Sequence, residues 1–195
     1  MSKFIAIFLL MGCLPVHAHY CQDVSEIDKQ FLEAHNKRRK QFHEDYGVSF
    51  VPLKHSPGLK QQSRRWARKL VNRVCSGEGN IYHDPNNRYG ENIASNQGTG
   101  SWAKRPTPDS ILYRFVEREL DQQDKGHLTQ VLWRPTKYVG CAMVSKTVGQ
   151  KSCHVTVCRY AKPGNCNMGK YPDWEAVTYQ DDSACGPECP PEGCR

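Results

Sequence analysis

Four side chains of the metal-ligand type lie in segments whose local sequence is unusual for plain packing. They are His83, Glu91, Glu117 and His127. Two imidazoles with one or two carboxylates form a ligand set that a borderline metal such as zinc accepts. The four positions are scattered, and the sequence contains neither an HExxH nor a CxxC grouping. Spacing alone therefore suggests metal chemistry without requiring that the four residues share one site.

The elements that would position these residues are three helices and a hairpin. Apolar periodicity and capping signals predict helices at 24–41, from Ser56-Pro57 to about 74, and at 107–120. Two Val- and Cys-rich segments, 138–146 and 152–160, predict an antiparallel hairpin. Residues 76–105, rich in Gly, Asn and Pro, are expected to be largely loop. This order predicts an α+β fold, a three-layer α-β-α sandwich with a small, mainly antiparallel sheet.

The composition points to a basic extracellular domain reinforced by disulfides. The chain has 195 residues, ten cysteines and a formal net charge of +7, which exclude collagen, a coiled coil and a disordered tail. Residues 1–18 resemble a secretory signal, whose apolar run 4–14 is far shorter than the ~20 residues that a transmembrane helix needs. We therefore expect a secreted protein with no transmembrane segment and no nucleic-acid partner.

The mature chain would contain an odd number of cysteines. Removing residues 1–18 would remove Cys13 and leave nine cysteines, so at most four pairs can form. One thiol would then stay free or bridge to another chain. The sequence accordingly predicts a monomer or a disulfide-linked dimer.

Several segments, in order along the chain, resemble the CAP superfamily of cysteine-rich secretory, antigen 5 and pathogenesis-related proteins. Residues 126–136, GHLTQVLWRPT, resemble its first signature, and residues 155–165, VTVCRYAKPGN, resemble its second. YGENI at 89–93 and YVGCA at 138–142 match two further segments. The likeness is greatest to the venom-allergen-like proteins that parasitic worms secrete. It implies a CAP domain at 19–165, followed by a short cysteine-containing extension at 166–195.

This resemblance also implies a site and a set of disulfides. The sandwich would enclose a central cleft whose two histidines and two glutamates are His83, Glu91, Glu117 and His127, able to hold zinc or another divalent cation. Glu119 is the alternative to Glu117, because two positions differ by about 200° around a helix and only one can face the cleft. The implied disulfides are Cys141–Cys158 and Cys75–Cys153, whereas Cys21, Cys166, Cys185, Cys189 and Cys194 are left unassigned.

Three functions remain open at this stage. The resemblance implies binding of a sterol or a fatty acid, the latter between the first and third helices, whose apolar residues include Phe31, Ile111, Leu112 and Phe115. Basic clusters at 35–40 and 64–69 would attract glycosaminoglycans or host extracellular proteins. The alternative from another class is a metal-dependent hydrolase that uses the cleft carboxylates. No nucleophile motif such as G-x-S-x-G accompanies them.

Overall fold

The computed structural model of the chain describes residues 24–166, 168, 173–180 and 185–194. The predicted signal at 1–18 and the cysteines Cys13 and Cys21 lie outside these residues. Within the described ranges, no helix combines the length and the apolar composition that crossing a bilayer requires.

Five α-helices lie among the described residues, and the sequence predicts the first three of them. They are α1 (Glu26–Asp45), α2 (Pro57–Ser76), α3 (Pro108–Phe115), α4 (Gly126–Leu132) and α5 (Trp174–Thr178). At α2 and α3, a proline occupies the first turn, and the hydroxyls of Ser56 and Thr107 accept hydrogen bonds from backbone N–H groups of that turn. The left-handed Gly77, with φ of 81°, ends α2.

The sheet has four strands in the order β1-β3-β4-β2, and only the short β1 is parallel to its neighbour. The strands are β1 (Lys54–His55), β2 (Gly90–Gly98), β3 (Tyr138–Val148) and β4 (Lys151–Ala161). The predicted hairpin is β3–β4, which turns at Gly149 with φ of 58°. The mainly antiparallel sheet of the α+β prediction is therefore confirmed.

Two hydrophobic clusters cover the two faces of this sheet. On one face, α2 supplies Trp66 and Leu70 against Val155 and Val157 of β4. On the other face, α1, α3 and α4 pack over alternate residues of the same strands, such as Tyr160. At Gly140 of β3 the start of α2 approaches so closely that a Cβ atom would lie 2.6 Å from the carbonyl oxygen of Ser56. These layers are the α-β-α sandwich.

Three local predictions differ from the structure. The segment 76–105 is irregular at residues 77–89 as predicted, but it also contains the nine-residue strand β2. Residues Gly126–Leu132 form the helix α4, which was not among the three helices predicted from the sequence. The third helix ends at Phe115, and a 3-10 turn, Glu117–Glu119, follows a break at Val116. This break changes the direction of the two glutamates that follow it.

Four disulfides join the eight cysteines among the described residues. Cys75–Cys153 and Cys141–Cys158 are the two pairs implied by the resemblance. In the C-terminal extension, Cys166 pairs with Cys185 and Cys189 pairs with Cys194. This set assigns the tail cysteines, which the sequence left open, and it fits an oxidising compartment.

Candidate functional site

The first half of the candidate site is the hydrogen-bonded pair of His83 and Glu91. His83 lies in the loop before β2 and donates from Nδ1 to Glu91 Oε1 at 3.0 Å. The imidazole is 68% exposed, whereas the carboxylate is only 3% exposed. The hydrogen bond that His83 donates to this carboxylate raises the pKa of His83 above its ordinary value.

Two further residues, Asp84 and Arg159, fix Glu91. Its Oε1 accepts the backbone N–H of Asp84 at 3.0 Å, and its Oε2 accepts Nε of Arg159 at 3.1 Å. The guanidinium of Arg159 is buried and also contacts Asp84 Oδ2 at 2.5 Å. Glu91 and Arg159 are directly opposite in the β2–β4 register. Arg159 is not among the residues predicted from the sequence, because this cross-strand pair of opposite charges can be recognised only when the register is known.

The second half is formed by His127 and Glu119. His127 is the second residue of α4, and its Nδ1 donates to Glu119 Oε1. The other carboxylate oxygen accepts the backbone N–H groups of His127 at 3.0 Å and Leu128 at 2.9 Å. Phe115 stacks on the imidazole with 5.0 Å between ring centroids. This pair opens on a cavity of about 160 Å³.

Glu117, the residue named from the resemblance, has a different partner. Its two carboxylate oxygens accept Nε of Arg38 on α1 at 2.9 and 3.0 Å. Arg38 is buried and also binds Asp109 at 2.8 Å. Because α3 breaks at Val116, Glu117 turns toward α1 and Glu119 turns toward α4. The placement of Glu117 beside His127 is therefore wrong, and the alternative, Glu119, occupies that position.

One residue of β2 connects the two halves. Asn92 follows Glu91, and its Nδ2 donates to the backbone oxygen of His127 at 3.0 Å. Consecutive strand residues point to opposite faces, so Glu91 faces Arg159 while Asn92 faces α4. The sheet thus positions the two His–Glu pairs through adjacent residues of a single strand.

The donor set fits a divalent cation held by imidazole. In each pair the carboxylate takes the Nδ1 proton, which fixes the tautomer and leaves Nε2 with its lone pair. Among the described residues, neither Nε2 has a hydrogen-bond partner. Each pair therefore offers one imidazole nitrogen to a metal, but among the described residues no three of the four side chains bring ligand atoms within 4.8 Å of one another.

Three potential metal-ligand atoms lie close together in the core, away from the two His–Glu pairs, but they form no metal site. In the described ranges, the one group of three His, Cys, Asp or Glu side chains with ligand atoms within 4.8 Å is His35, Cys141 and Cys158. The two sulfurs form a disulfide and cannot act as thiolates. His35 binds Phe31 O at 2.7 Å and the Tyr160 hydroxyl at 2.9 Å, so both ring nitrogens are engaged. This group is a structural network rather than a metal centre.

Comparison with known proteins identifies the family to which these sequence segments belong. The cysteine-rich secretory protein family, CAP, matches residues 32–160. The chain belongs to the CAP family. Pathogenesis-related protein 1A of Nicotiana tabacum is 31% identical over 166 residues, which cover 81% of this chain and 89% of that protein.

Two solved structures show the same fold. Venom allergen-like protein 4 of Schistosoma mansoni has a TM-score of 0.50 and 19% identity, covering 72% of this chain and 91% of that one. NaASP2 in a structure with Zn²⁺ has a TM-score of 0.50 and 17% identity, covering 72% of this chain and 82% of that one. At these identities the likeness concerns the CAP fold.

The four apolar residues named for lipid binding lie in the core of this CAP domain. Phe31, Ile111, Leu112 and Phe115 are each at most 3% exposed. A groove of about 330 Å³ does lie between α1 and the start of α3, but other residues line it, among them Ala34, Lys37 and Pro108. A fatty acid between these helices would contact this outer groove.

The two basic clusters predicted from the sequence differ in their exposure to solvent. At 35–40, Arg38 is 5% exposed and Arg39 is fully buried, so the expected basic face on α1 does not exist. The cluster on α2 is exposed, and it consists of Arg64, Arg65, Arg68 and Lys69. The exposed basic cluster of the structure therefore lies on α2.

Proposed function

We propose that the protein is a secreted CAP-family binding protein whose cleft takes a divalent cation on His83 and His127. One observation carries this proposal: each imidazole has its Nδ1 proton bound by a buried or nearly buried carboxylate and its Nε2 unpartnered among the described residues. Such carboxylate–histidine pairs are the usual outer support of metal-binding imidazoles. The zinc in the NaASP2 structure is consistent with this choice of ion.

Zinc titration of the mature chain by calorimetry tests the cation site. We expect one site, lost in the variant that combines His83→Ala with His127→Ala. His154→Ala is the matched control, because both nitrogens of His154 are already engaged, with Ser145 and with the carbonyl of Ala103. Equal zinc binding by the double variant and the wild type would contradict the proposal.

The hydrolase alternative has less support from the geometry. A general base needs a carboxylate oxygen that can reach a water or a substrate proton. All four oxygens of Glu91 and Glu119 already accept hydrogen bonds, and Glu117 is held by Arg38. Activity assays with a panel of ester, peptide and phosphoester substrates distinguish the binding protein from the hydrolase. Zinc-dependent turnover by the wild type that disappears in the double-histidine variant would favour the hydrolase.

A second binding function, for a fatty acid, is favoured by the groove between α1 and α3. Its floor includes the buried Ala34 and Pro108, and Lys37 lies exposed on its rim, where an ammonium can meet a carboxylate. The volume of about 330 Å³ lies at the lower end of ligand sites. A sterol remains the other proposed ligand, with extraction of lipids from the natively secreted protein as the direct comparison.

Binding of a fluorescent palmitate analogue tests the groove. We expect Lys37→Gln to weaken binding about three- to tenfold, since it removes one charge-assisted contact. Lys40→Gln removes the same charge from the same helix outside the groove, where Lys40 pairs with Glu44, and should leave the affinity unchanged. Equal effects of the two substitutions would show that the groove is not the site.

A further inference from the structure

A serine and a histidine lie opposite each other near the turn of the β3–β4 hairpin. Ser145 of β3 and His154 of β4 are partners in the strand register. The hydroxyl oxygen of Ser145 lies 2.7 Å from Nδ1 of His154. His154 is only 5% exposed, whereas Ser145 is exposed to solvent. A buried imidazole is therefore hydrogen-bonded to a hydroxyl that a dissolved molecule can reach.

The carbonyl oxygen of Ala103 determines which nitrogen of His154 carries the proton. Nε2 of His154 lies 3.0 Å from this oxygen. Because a carbonyl oxygen only accepts hydrogen bonds, Nε2 donates, and Nδ1 of the neutral imidazole is the acceptor. The hydroxyl of Ser145 therefore donates to Nδ1. A serine that donates to an oriented imidazole has the arrangement of an activated nucleophile, and Ala103 orients this ring as a carboxylate does in many hydrolases.

The 3-10 turn Gly100–Ala103 brings this carbonyl to the sheet. The turn packs against the end of β2, where a Cβ atom on Gly98 would lie 2.8 Å from the carbonyl oxygen of Trp102. The absence of a side chain at Gly98 thus permits the close approach that holds Ala103 beside His154. The orientation of the imidazole depends on two segments that are 51 residues apart in the chain.

A guanidinium lies on the same face of β3 as Ser145. Met143 and Ser145 are alternate residues of this strand, so their side chains point to the same side of the sheet. Arg105 donates from Nε to the sulfur of Met143 at 3.2 Å. Among the described residues, no carboxylate pairs with Arg105. Its charge can therefore stabilise the negative oxygen that develops when a hydroxyl attacks a carbonyl group on this face.

We propose that Ser145 and His154 form an acyl-accepting site for carboxylic esters with a good leaving group. In the first step, Ser145 Oγ forms a bond to the ester carbonyl carbon, and the hydroxyl proton passes to His154 Nδ1. The bond between this carbon and the alcohol oxygen then breaks, and the alcohol leaves with the proton from His154. In the second step, water adds to the acyl carbon and gives a proton to His154, which returns it to Ser145 Oγ as the carboxylic acid is released.

This site is independent of the functions proposed above. It uses neither His83 nor His127, and its chemistry involves no metal ion. Ester cleavage at Ser145 should therefore persist in the presence of a chelator, whereas turnover by the alternative metal-dependent hydrolase would be lost. The chelator thus distinguishes the two activities.

Acetylation of the mature chain by 4-nitrophenyl acetate in the presence of EDTA tests the proposal. We expect release of 4-nitrophenol and an acetyl group on Ser145, located by peptide mass spectrometry. His154→Gln retains an amide donor for the carbonyl of Ala103 but removes the base, so the rate of acetylation at Ser145 should fall about 100-fold. Arg105→Gln should also lower this rate, because the cation near the developing oxyanion is lost.

Ser152→Ala is the matched control. Ser152 lies two residues from His154 on β4, and its hydroxyl contacts that of Thr147 at 3.1 Å rather than an imidazole. This variant should retain the wild-type rate at Ser145. Ser145→Ala alters an exposed side chain, so it should remove the acetyl-serine while leaving the denaturant midpoint of unfolding unchanged. The absence of acetyl-serine in the wild type, or a rate at Ser145 that His154→Gln leaves unchanged, would overturn the proposal.

Discussion

Glu119 holds His127 from two directions. One carboxylate oxygen accepts the ring Nδ1 proton, and the other accepts the backbone N–H of the same residue at 3.0 Å. The two contacts fix both the position of α4 and the tautomer of the imidazole. Glu117, two residues earlier, performs a different task, since it binds Arg38 of α1.

This difference predicts opposite results for two matched substitutions. Glu119→Gln removes the charge that orients His127, so zinc affinity should fall about 10- to 100-fold, as is typical for outer partners of metal-binding histidines. Glu117→Gln, which removes the same charge next to Arg38, should leave zinc affinity within about twofold of the wild type. Calorimetric titration measures both. A larger loss for Glu117→Gln would restore the original assignment of that residue.

Arg39 should be one of the residues on which stability depends most strongly. Its fully buried guanidinium donates to five backbone carbonyls, those of Val51, Val131, Trp133, Arg134 and Thr136. Arg39→Met would leave several of them without a donor, at about 1–3 kcal/mol for each buried group. We expect the free energy of unfolding to fall by at least about 3 kcal/mol in denaturant titrations with the disulfides intact. Lys40→Met, at an exposed ion pair, should cost less than about 1 kcal/mol.

Acid should destabilise the fold through buried histidines. Burial lowers the pKa of His35 and of His43 to about 4. The histidines bind protons more readily in the unfolded chain than in the folded one. The contribution of the neutral imidazoles to the free energy of unfolding is therefore complete above pH 6.5 and disappears as the pH falls toward 4. A second ring proton on His35 would also face the hydroxyl donor of Tyr160.

For His35 alone, the free energy of unfolding should decrease by on the order of 2–3 kcal/mol between pH 7 and pH 4. Unfolding free energies measured across this range should decrease with acid, and His35→Gln should decrease less steeply. His83 has the opposite sign, because its pKa is raised by Glu91 and its contribution is lost as the pH rises through that value. A pH-independent stability between 7 and 4 would contradict the assignment of neutral buried imidazoles.

The disulfide pattern predicts the chemistry of Cys21. Eight described cysteines pair with one another, and Cys13 falls within the predicted signal. We expect mass spectrometry of the unreduced mature chain to detect four intramolecular bridges and one alkylatable thiol, at Cys21. Any disulfide-linked dimer on a non-reducing gel should then disappear with Cys21→Ser. A dimer that persists in this variant would contradict the pairing.

Binding to sulfated glycans should depend on α2 and not on α1. Neutralising Arg65 and Arg68 should reduce the salt concentration that elutes the protein from heparin, because both are exposed cations. Neutralising Lys37 and Lys40 removes equal charge from α1, where the neighbouring arginines are buried, and should have a smaller effect. Equal effects of the two double variants would show that only the net charge matters.

Local signals in the sequence determined much of the scaffold. The caps at Ser56 and Thr107, the prolines after them and the alternating hairpin segments each depend on neighbouring residues, so they could be recognised without the fold. The family segments suggested Glu91 and His127 as site residues for the same reason, since each lies inside a short recognisable segment.

Only the tertiary structure decided which charges are buried and which carboxylate meets which histidine. Arg38 and Arg39 look like an exposed basic cluster in the sequence, yet α3, α4 and the loop at residues 49–51 supply the acceptors that make their burial favourable. Because of the break at Val116, Glu119 rather than Glu117 is the partner of His127. Both outcomes depend on partners 8 to 97 residues away along the chain, whose positions are set by packing rather than by local pattern.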